Sequence, residues 1–173
     1  PKPTFNCVSR PIWLQIDGPS TVARTHTINP TNNKTNTKET QPLKKQSKTF
    51  PFTKTYTDIT KILTNHKLAS LGDTYINFTY SLALSNKKGE PTSAKVKGST
   101  LAKALKKAGL REHMPARMSR HKLADAAEAL TVYAWLQNYI TLEESVKILE
   151  KTDDSVEGFN QLLTKIKNRI KFS

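Results

Sequence analysis

The chain has 173 residues, enough for one domain of ordinary size or a smaller domain with an arm, and only 36 % of them are apolar. Twenty-eight Lys and Arg against fourteen Asp and Glu leave a net charge of +14, well above the ~2–8 that keeps a small domain soluble, and so point to a polyanionic partner such as nucleic acid. A single cysteine, Cys7, excludes an intramolecular disulfide and any zinc site of several thiolates, and no run of ~18 apolar residues is present to span a membrane.

Residues 1–50 are rich in Thr, Asn, Lys and Pro, with a low-complexity centre from Thr31 to Lys38. So polar a stretch buries too little to offset the entropy of ordering it, and a low-complexity basic N-terminal arm is expected. Eight basic and two acidic residues give this arm +6 of the total charge. Within it, Pro11-Ile12-Trp13-Leu14-Gln15-Ile16 can pair as a strand or dock on a partner. The opening residues lack the charged-then-apolar pattern of a signal peptide. A cytoplasmic protein is expected, or an organellar one if the arm derives from a targeting leader.

Residues 51–173 carry the other +8 and read as helical throughout. Tyr56 to Leu63 gives a short first helix. A second runs from about His66 to Ser85, with Leu68, Leu71, Tyr75, Phe78 and Leu82 on one apolar stripe at spacings of three and four. Breakers at 86–91 end it, and the sequon at Asn77 inside it is accidental, as is the one at Asn33. Ser99 can cap a third helix, Thr100 to Ala108, which Gly109 ends in a left-handed conformation. A fourth spans roughly Arg120 to Asn138. Thr141 opens a fifth with a capping box, because Glu144 three residues on can reach back to the Thr141 amide. A sixth, about Asp154 to Ile170, has a basic end suited to the negative pole of its dipole. No segment alternates as a strand, so the class is all-α.

Acidic residues inside apolar helices are few. Asp73 stands in Leu71-Gly72-Asp73-Thr74-Tyr75-Ile76, where Gly72 costs the helix about 1 kcal/mol relative to Ala. Close approach of another helix, together with a metal ligand, would account for the pair. Asp125 and Glu128 lie three apart in an alanine-rich helix, so their carboxylates share a face. Like charges so near repel each other unless a cation lies between them, although such a pair is more often a solvated helix face. Oxygen-only donors suit Mg²⁺ or Mn²⁺ and not zinc.

His66-Lys67-Leu68-Ala69-Ser70-Leu71-Gly72-Asp73 resembles the ribonuclease III signature, which ends Glu-x-Leu-Gly-Asp, and Leu123-Ala124-Asp125-Ala126-Ala127-Glu128-Ala129-Leu130 is similar to the second acidic motif of that family. The order and the roughly fifty-residue separation also match, over about residues 58–150. The resemblance is to compact archaeal members that lack a separate double-stranded-RNA-binding domain. The resemblance implies a ribonuclease III-like helical domain at 51–173, a homodimer, and cleavage of double-stranded RNA to 5′-phosphate products. It also implies that Asp73 and Glu128 are direct Mg²⁺ ligands, with Asp125 a further ligand or the group that orients one. Four positions depart from the family: Ala69 replaces the first signature Glu, Ser70 an aromatic residue of the dimer contact, and Val132-Tyr133 a small Gly-Ala pair.

Lys95 and Lys97 precede the third helix, and Arg117, Arg120 and Lys122 lead into the fourth. These residue types suit phosphate and 2′-hydroxyl contacts along double-stranded or structured RNA, and ordinary solvated surface is the plainer reading for some of them. Three functions compete. The first is a Mg²⁺-dependent endoribonuclease using Asp73, Asp125 and Glu128. The second is a catalytically inactive relative that binds RNA, such as a ribonucleoprotein or ribosome component. The third, a helical protein–protein module, leaves the charge and Asp73 unexplained.

Overall fold

A computed structural model describes residues 50–170; residues 1–49 of the expected arm, with Cys7 and the apolar piece at 11–16, lie outside the described residues. Over 50–170 the chain is built of six α-helices and a single 3₁₀ turn, with no strand among the described residues. The helices are α1 (Ile59–Leu63), α2 (His66–Lys88), α3 (Gly98–Lys107), α4 (Arg120–Leu136), α5 (Leu142–Glu150) and α6 (Ser155–Arg169), with the 3₁₀ turn at Arg111–His113. The all-α class expected from the sequence is observed. No helix among the described residues is long and apolar enough to cross a membrane.

α4 is the hub. Ser119 caps it by accepting from the Lys122 amide at 3.2 Å, and the helix then buries residues on every side, from Leu123 and Ala124 to Ala134 and Leu136. It packs against α1, α2, α3 and α6. A helix with neighbours all round has no solvated stripe to show, which is why the sequence Leu-Ala-Asp-Ala-Ala-Glu-Ala-Leu is so rich in alanine.

α2 is the longest helix. The Asn65 side chain caps its start, and Gly89, at φ 71°, ends it in the left-handed region, three residues beyond the expected stop at Ser85. Its buried face keeps only part of the stripe expected from the sequence: Tyr75 is buried and Leu68 and Leu82 pack partly against the core, but Leu71 and Phe78 are 40 % and 54 % exposed. The rest of the core side is Ala69, Gly72, Ile76, Thr79 and Ala83. The reason is distance. A Cβ added at Gly72 would overlap the backbone carbonyl of Glu128 and lie 3.0 Å from its Cα, so only small side chains fit where α2 crosses α4.

Other boundaries shift by a few residues. α1 begins at Ile59, because Asp58 accepts from the Thr60 amide at 2.8 Å and caps it there. α3 starts at Gly98, so Ser99 lies inside its first turn and makes no cap; Gly109, at φ 69°, does follow its end in the left-handed conformation. Thr141 caps α5 as expected, but Glu144 does not close the box. Its carboxylate reaches instead to Arg169 at 2.6 and 2.8 Å and to Lys165 at 2.7 Å, which hold it down at about pKa 2 and tie α5 to the end of α6. Two cations outbid one amide for a carboxylate.

Ahead of α1, Phe50 lies against Trp135, whose ring stacks on Tyr75 with centroids 4.9 Å apart. The Tyr56 amide donates to the Tyr133 hydroxyl at 3.2 Å. Trp135 and Tyr133 are therefore structural residues of the core and its edge.

Candidate active site

The close crossing of α2 over α4 sets Asp73 beside Asp125 and Glu128. All three carboxylates line one open pocket of about 290 Å³, which Ala69, Lys95 and His121 help to enclose. They also sense each other. Glu128, half-buried, has its carboxyl pushed up to about 7, first by burial and then by repulsion from Asp73 and Asp125, against a smaller opposing pull from Lys95.

Each of the other two carboxylates is held by a neighbour on its own helix. Asp73 accepts a hydrogen bond from the Asn77 amide nitrogen at 3.0 Å, one turn along α2. Asp125, with 15 % of its side chain exposed, lies 3.8 Å from His121 Nε2 and 3.6 Å from Lys122 Nζ. Glu128 has no such partner among the described residues.

Carboxylate oxygens are the donor type that a hard divalent cation takes. Asp73, Asp125 and Glu128 line one open pocket, and the raised carboxyl of Glu128 is a charge that a cation would relieve. Among the described residues no group of three or more His, Cys, Asp or Glu stands close enough to form a direct metal shell. Mg²⁺ would not require a group of three, since it keeps several of its waters and binds through one or two carboxylates.

Of the five basic residues expected to bind RNA, Lys95 belongs to the carboxylate pocket itself. Lys97 is exposed at the N-terminal end of α3. Arg120 and His121 border a shallow depression opposite Gly98 and Ser99, so Lys97 and Arg120 flank the same end of α3. Arg117 is exposed in the loop before α4, and Lys122 is engaged with Asp125.

Sequence reasoning overlooked Asn77 and His66, which also lines the pocket. The signal for Asn77 was present: an amide one turn after Asp73 on the same helix can reach the carboxylate. Nothing in the local sequence of Lys95 announces that it faces the acids, because residues 91–97 carry no periodicity.

A family model described as Ribonuclease III matches residues 66–170, more than half of the chain. No curated protein matches it.

Proposed function

The chain belongs to the ribonuclease III family, and from that premise we propose that it is a Mg²⁺-dependent endoribonuclease that cleaves double-stranded RNA to 5′-phosphate products. The observation that supports this reading is the meeting of Asp73, Asp125 and Glu128 in one pocket, close enough for the first two to raise the pKa of the third.

Asp73 and Glu128 are the residues to hold the ion, with Mn²⁺ an alternative, and Asp125 completes or orients the set. When bound, such an ion lowers the pKa of an attacking water and stabilises the leaving 3′ oxygen. The protein's own contribution is placement. Gly72 brings the helices together, Asn77 steadies Asp73, and His121 and Lys122 steady Asp125. Lys95, at the pocket wall, offsets part of the acidic charge and stands where the phosphate must approach. Lys97, Arg117 and Arg120 offer exposed cations for the flanking phosphates. A homodimer sets two such sites across one duplex, each cutting one strand; exposed Leu71 and Phe78 on α2 are the apolar surface that pairing would cover. Its RNA would be met in the cytoplasm, or in an organelle.

One residue favours a second reading. Ala69 stands where the family signature has a Glu, and a site short of one carboxylate fits a relative that binds structured RNA without cutting it, as part of a ribonucleoprotein particle. Cleavage of a long RNA duplex by the purified protein with Mg²⁺ or Mn²⁺ decides between the two. The enzyme yields short fragments and Glu128→Gln abolishes them with binding intact; tight binding without cutting leaves the second reading standing.

A further inference from the structure

Between α2 and α3 the chain runs extended alongside α2, and α2 fixes it through three polar side chains spaced one turn apart. Ser85 Oγ accepts from the Thr92 amide at 2.9 Å, Ser81 Oγ from the Ala94 amide at 3.0 Å, and Asn77 Oδ1 from the Val96 amide at 2.8 Å. The helix offers an acceptor every fourth residue, or ~6 Å, and an extended chain offers an amide every second residue, or ~6.6 Å, so the two repeats match. Thr92, Ala94 and Val96, whose amides point at α2, are the less exposed residues of this segment, and Ser93, Lys95 and Lys97 between them are exposed.

Asn77 differs from the two serines. Its Oδ1 receives the Val96 amide while its Nδ2 donates to Asp73 Oδ1 at 3.0 Å. Both neighbours dictate this orientation, since a backbone N–H only donates and an ionised carboxylate only accepts. One side chain therefore touches an acid of the site and the backbone next to Lys95, the cation of the same pocket.

Resting on the nuclease reading above, we propose that Asn77 is a positioning residue of this site, fixing the Asp73 carboxylate and the Lys95-bearing segment relative to each other so that acid and cation meet the phosphate as one unit. Neither half of that function is available to Ala, and Asp supplies only one: it still accepts from Val96 but sets a second negative charge against Asp73.

The full chain is assayed on an RNA duplex with Mg²⁺ as wild type, Asn77→Ala, Asn77→Asp and Lys95→Ala, and as the Asn77→Ala/Lys95→Ala double variant. Amide hydrogen exchange at Val96 is followed in parallel. Both Asn77 variants should lose kcat by about 10- to 100-fold, the usual cost of removing a group that orients a ligand, with KM for the duplex little changed. Val96 protection should fall in Asn77→Ala and persist in Asn77→Asp, which shows that the second variant is folded with its segment in place. Lys95→Ala should cost much less in the Asn77→Ala background than in wild type. Unchanged kcat in Asn77→Ala, unchanged Val96 protection there, or additive effects in the double variant would overturn the assignment. A wild-type protein that leaves the duplex uncut ends the nuclease reading and this role with it, whereas a cutting wild type matched by Asn77→Ala ends this role alone.

Discussion

Gly72 of α2 rests against the backbone of Glu128 on α4, so closely that a Cβ at position 72 would overlap the Glu128 carbonyl. A backbone cannot yield as a flexible side chain can, so the helices must separate to admit even a methyl group. Gly72→Ala is expected to cost about 1–3 kcal/mol from overpacking, offset in part by the ~1 kcal/mol that Ala gains over Gly in a helix. Its neighbour Asp73 moves with it, away from Asp125 and Glu128. Cleavage should therefore fall far more than stability, measured as RNA fragments per unit time at a temperature where the melt shows the variant folded. Full activity in Gly72→Ala would mean that the spacing of α2 and α4 does not govern the site.

Glu128 links the site to pH. Burial and the charges of Asp73 and Asp125 push its carboxyl up to about 7 from an ordinary 4.5. Between those values the folded protein holds a proton that the unfolded chain has released. The stabilisation from this group is therefore complete below about pH 4.5 and is lost as the pH rises through about 7. In EDTA, wild type should lose stability across that window from Glu128, about 2 kcal/mol once solvent screening of a half-buried group is allowed for, and Glu128→Gln should not. At pH 8 the variant is expected to melt higher than wild type without divalent ions, and added Mg²⁺ to raise wild type selectively. A variant that melts lower in EDTA at pH 8 would show that its carboxylate is not opposed by its neighbours.

The parts of this structure that were legible in the sequence are those written in local pattern. Asp73 and the Asp125–Glu128 pair each lie inside a helix whose type and approximate ends follow from apolar spacing, and Thr141, Asp154 and Gly109 mark the ends of the neighbouring helices in the same way. Gly72 beside Asp73 also signalled a close helix crossing. The buried face of α2 was legible only in part, at Tyr75, because apolar size favours Leu71 and Phe78 whereas a crossing at backbone contact selects Ala69, Gly72 and Ala83. The position of Lys95 was hidden for another reason. It depends on Asn77, Ser81 and Ser85, polar residues of α2 that hold residues 92–96 through hydrogen bonds no local pattern announces.

The same unexpected face of α2 yields a prediction about assembly. Leu71 and Phe78 lie two turns apart and exposed, and Leu71 also borders an apolar groove of about 390 Å³ with Phe52, Leu68 and Leu136. If two copies pair through this surface, Leu71→Glu/Phe78→Glu should sediment as a monomer with its helical content retained. Because each protomer would then present one site, it should nick duplexes instead of cutting both strands. A wild-type protein that sediments as a monomer at micromolar concentration removes the dimer from the proposal.

Lys97 and Arg120 test the contact with phosphate apart from the chemistry. Neither forms a salt bridge with a described carboxylate, unlike Lys122, so neither leaves an acid unpaired when removed. Lys97→Ala should weaken duplex binding to a similar degree for every sequence and lower the slope of log affinity against log salt by about one. Thermal stability should stay within about 0.5 kcal/mol, as for other surface substitutions. An unaltered salt slope would place the RNA elsewhere on the protein.

Ala69 allows the missing carboxylate to be restored. It lies one turn before Asp73, is 3 % exposed, and lines both the carboxylate pocket and an adjoining cavity of about 290 Å³ walled by Leu63, Pro115 and Met118. A longer side chain at 69 therefore has space that a well-packed core would deny it. Glu at this position adds a fourth negative charge to a cluster already strained enough to raise Glu128, so Ala69→Glu should melt below wild type in EDTA at pH 8. Each added carboxylate also strengthens the attraction for a divalent cation, so the Mg²⁺ concentration for half-maximal cleavage should fall, by about tenfold or more if the new group gains one good charge-assisted contact. The opposing shifts, less stable without the ion and more responsive to it, separate a rebuilt metal site from a merely damaged core. If Ala69→Glu is destabilised in EDTA and yet needs more Mg²⁺ than wild type, the pocket of Asp73, Asp125 and Glu128 is not where the ion binds.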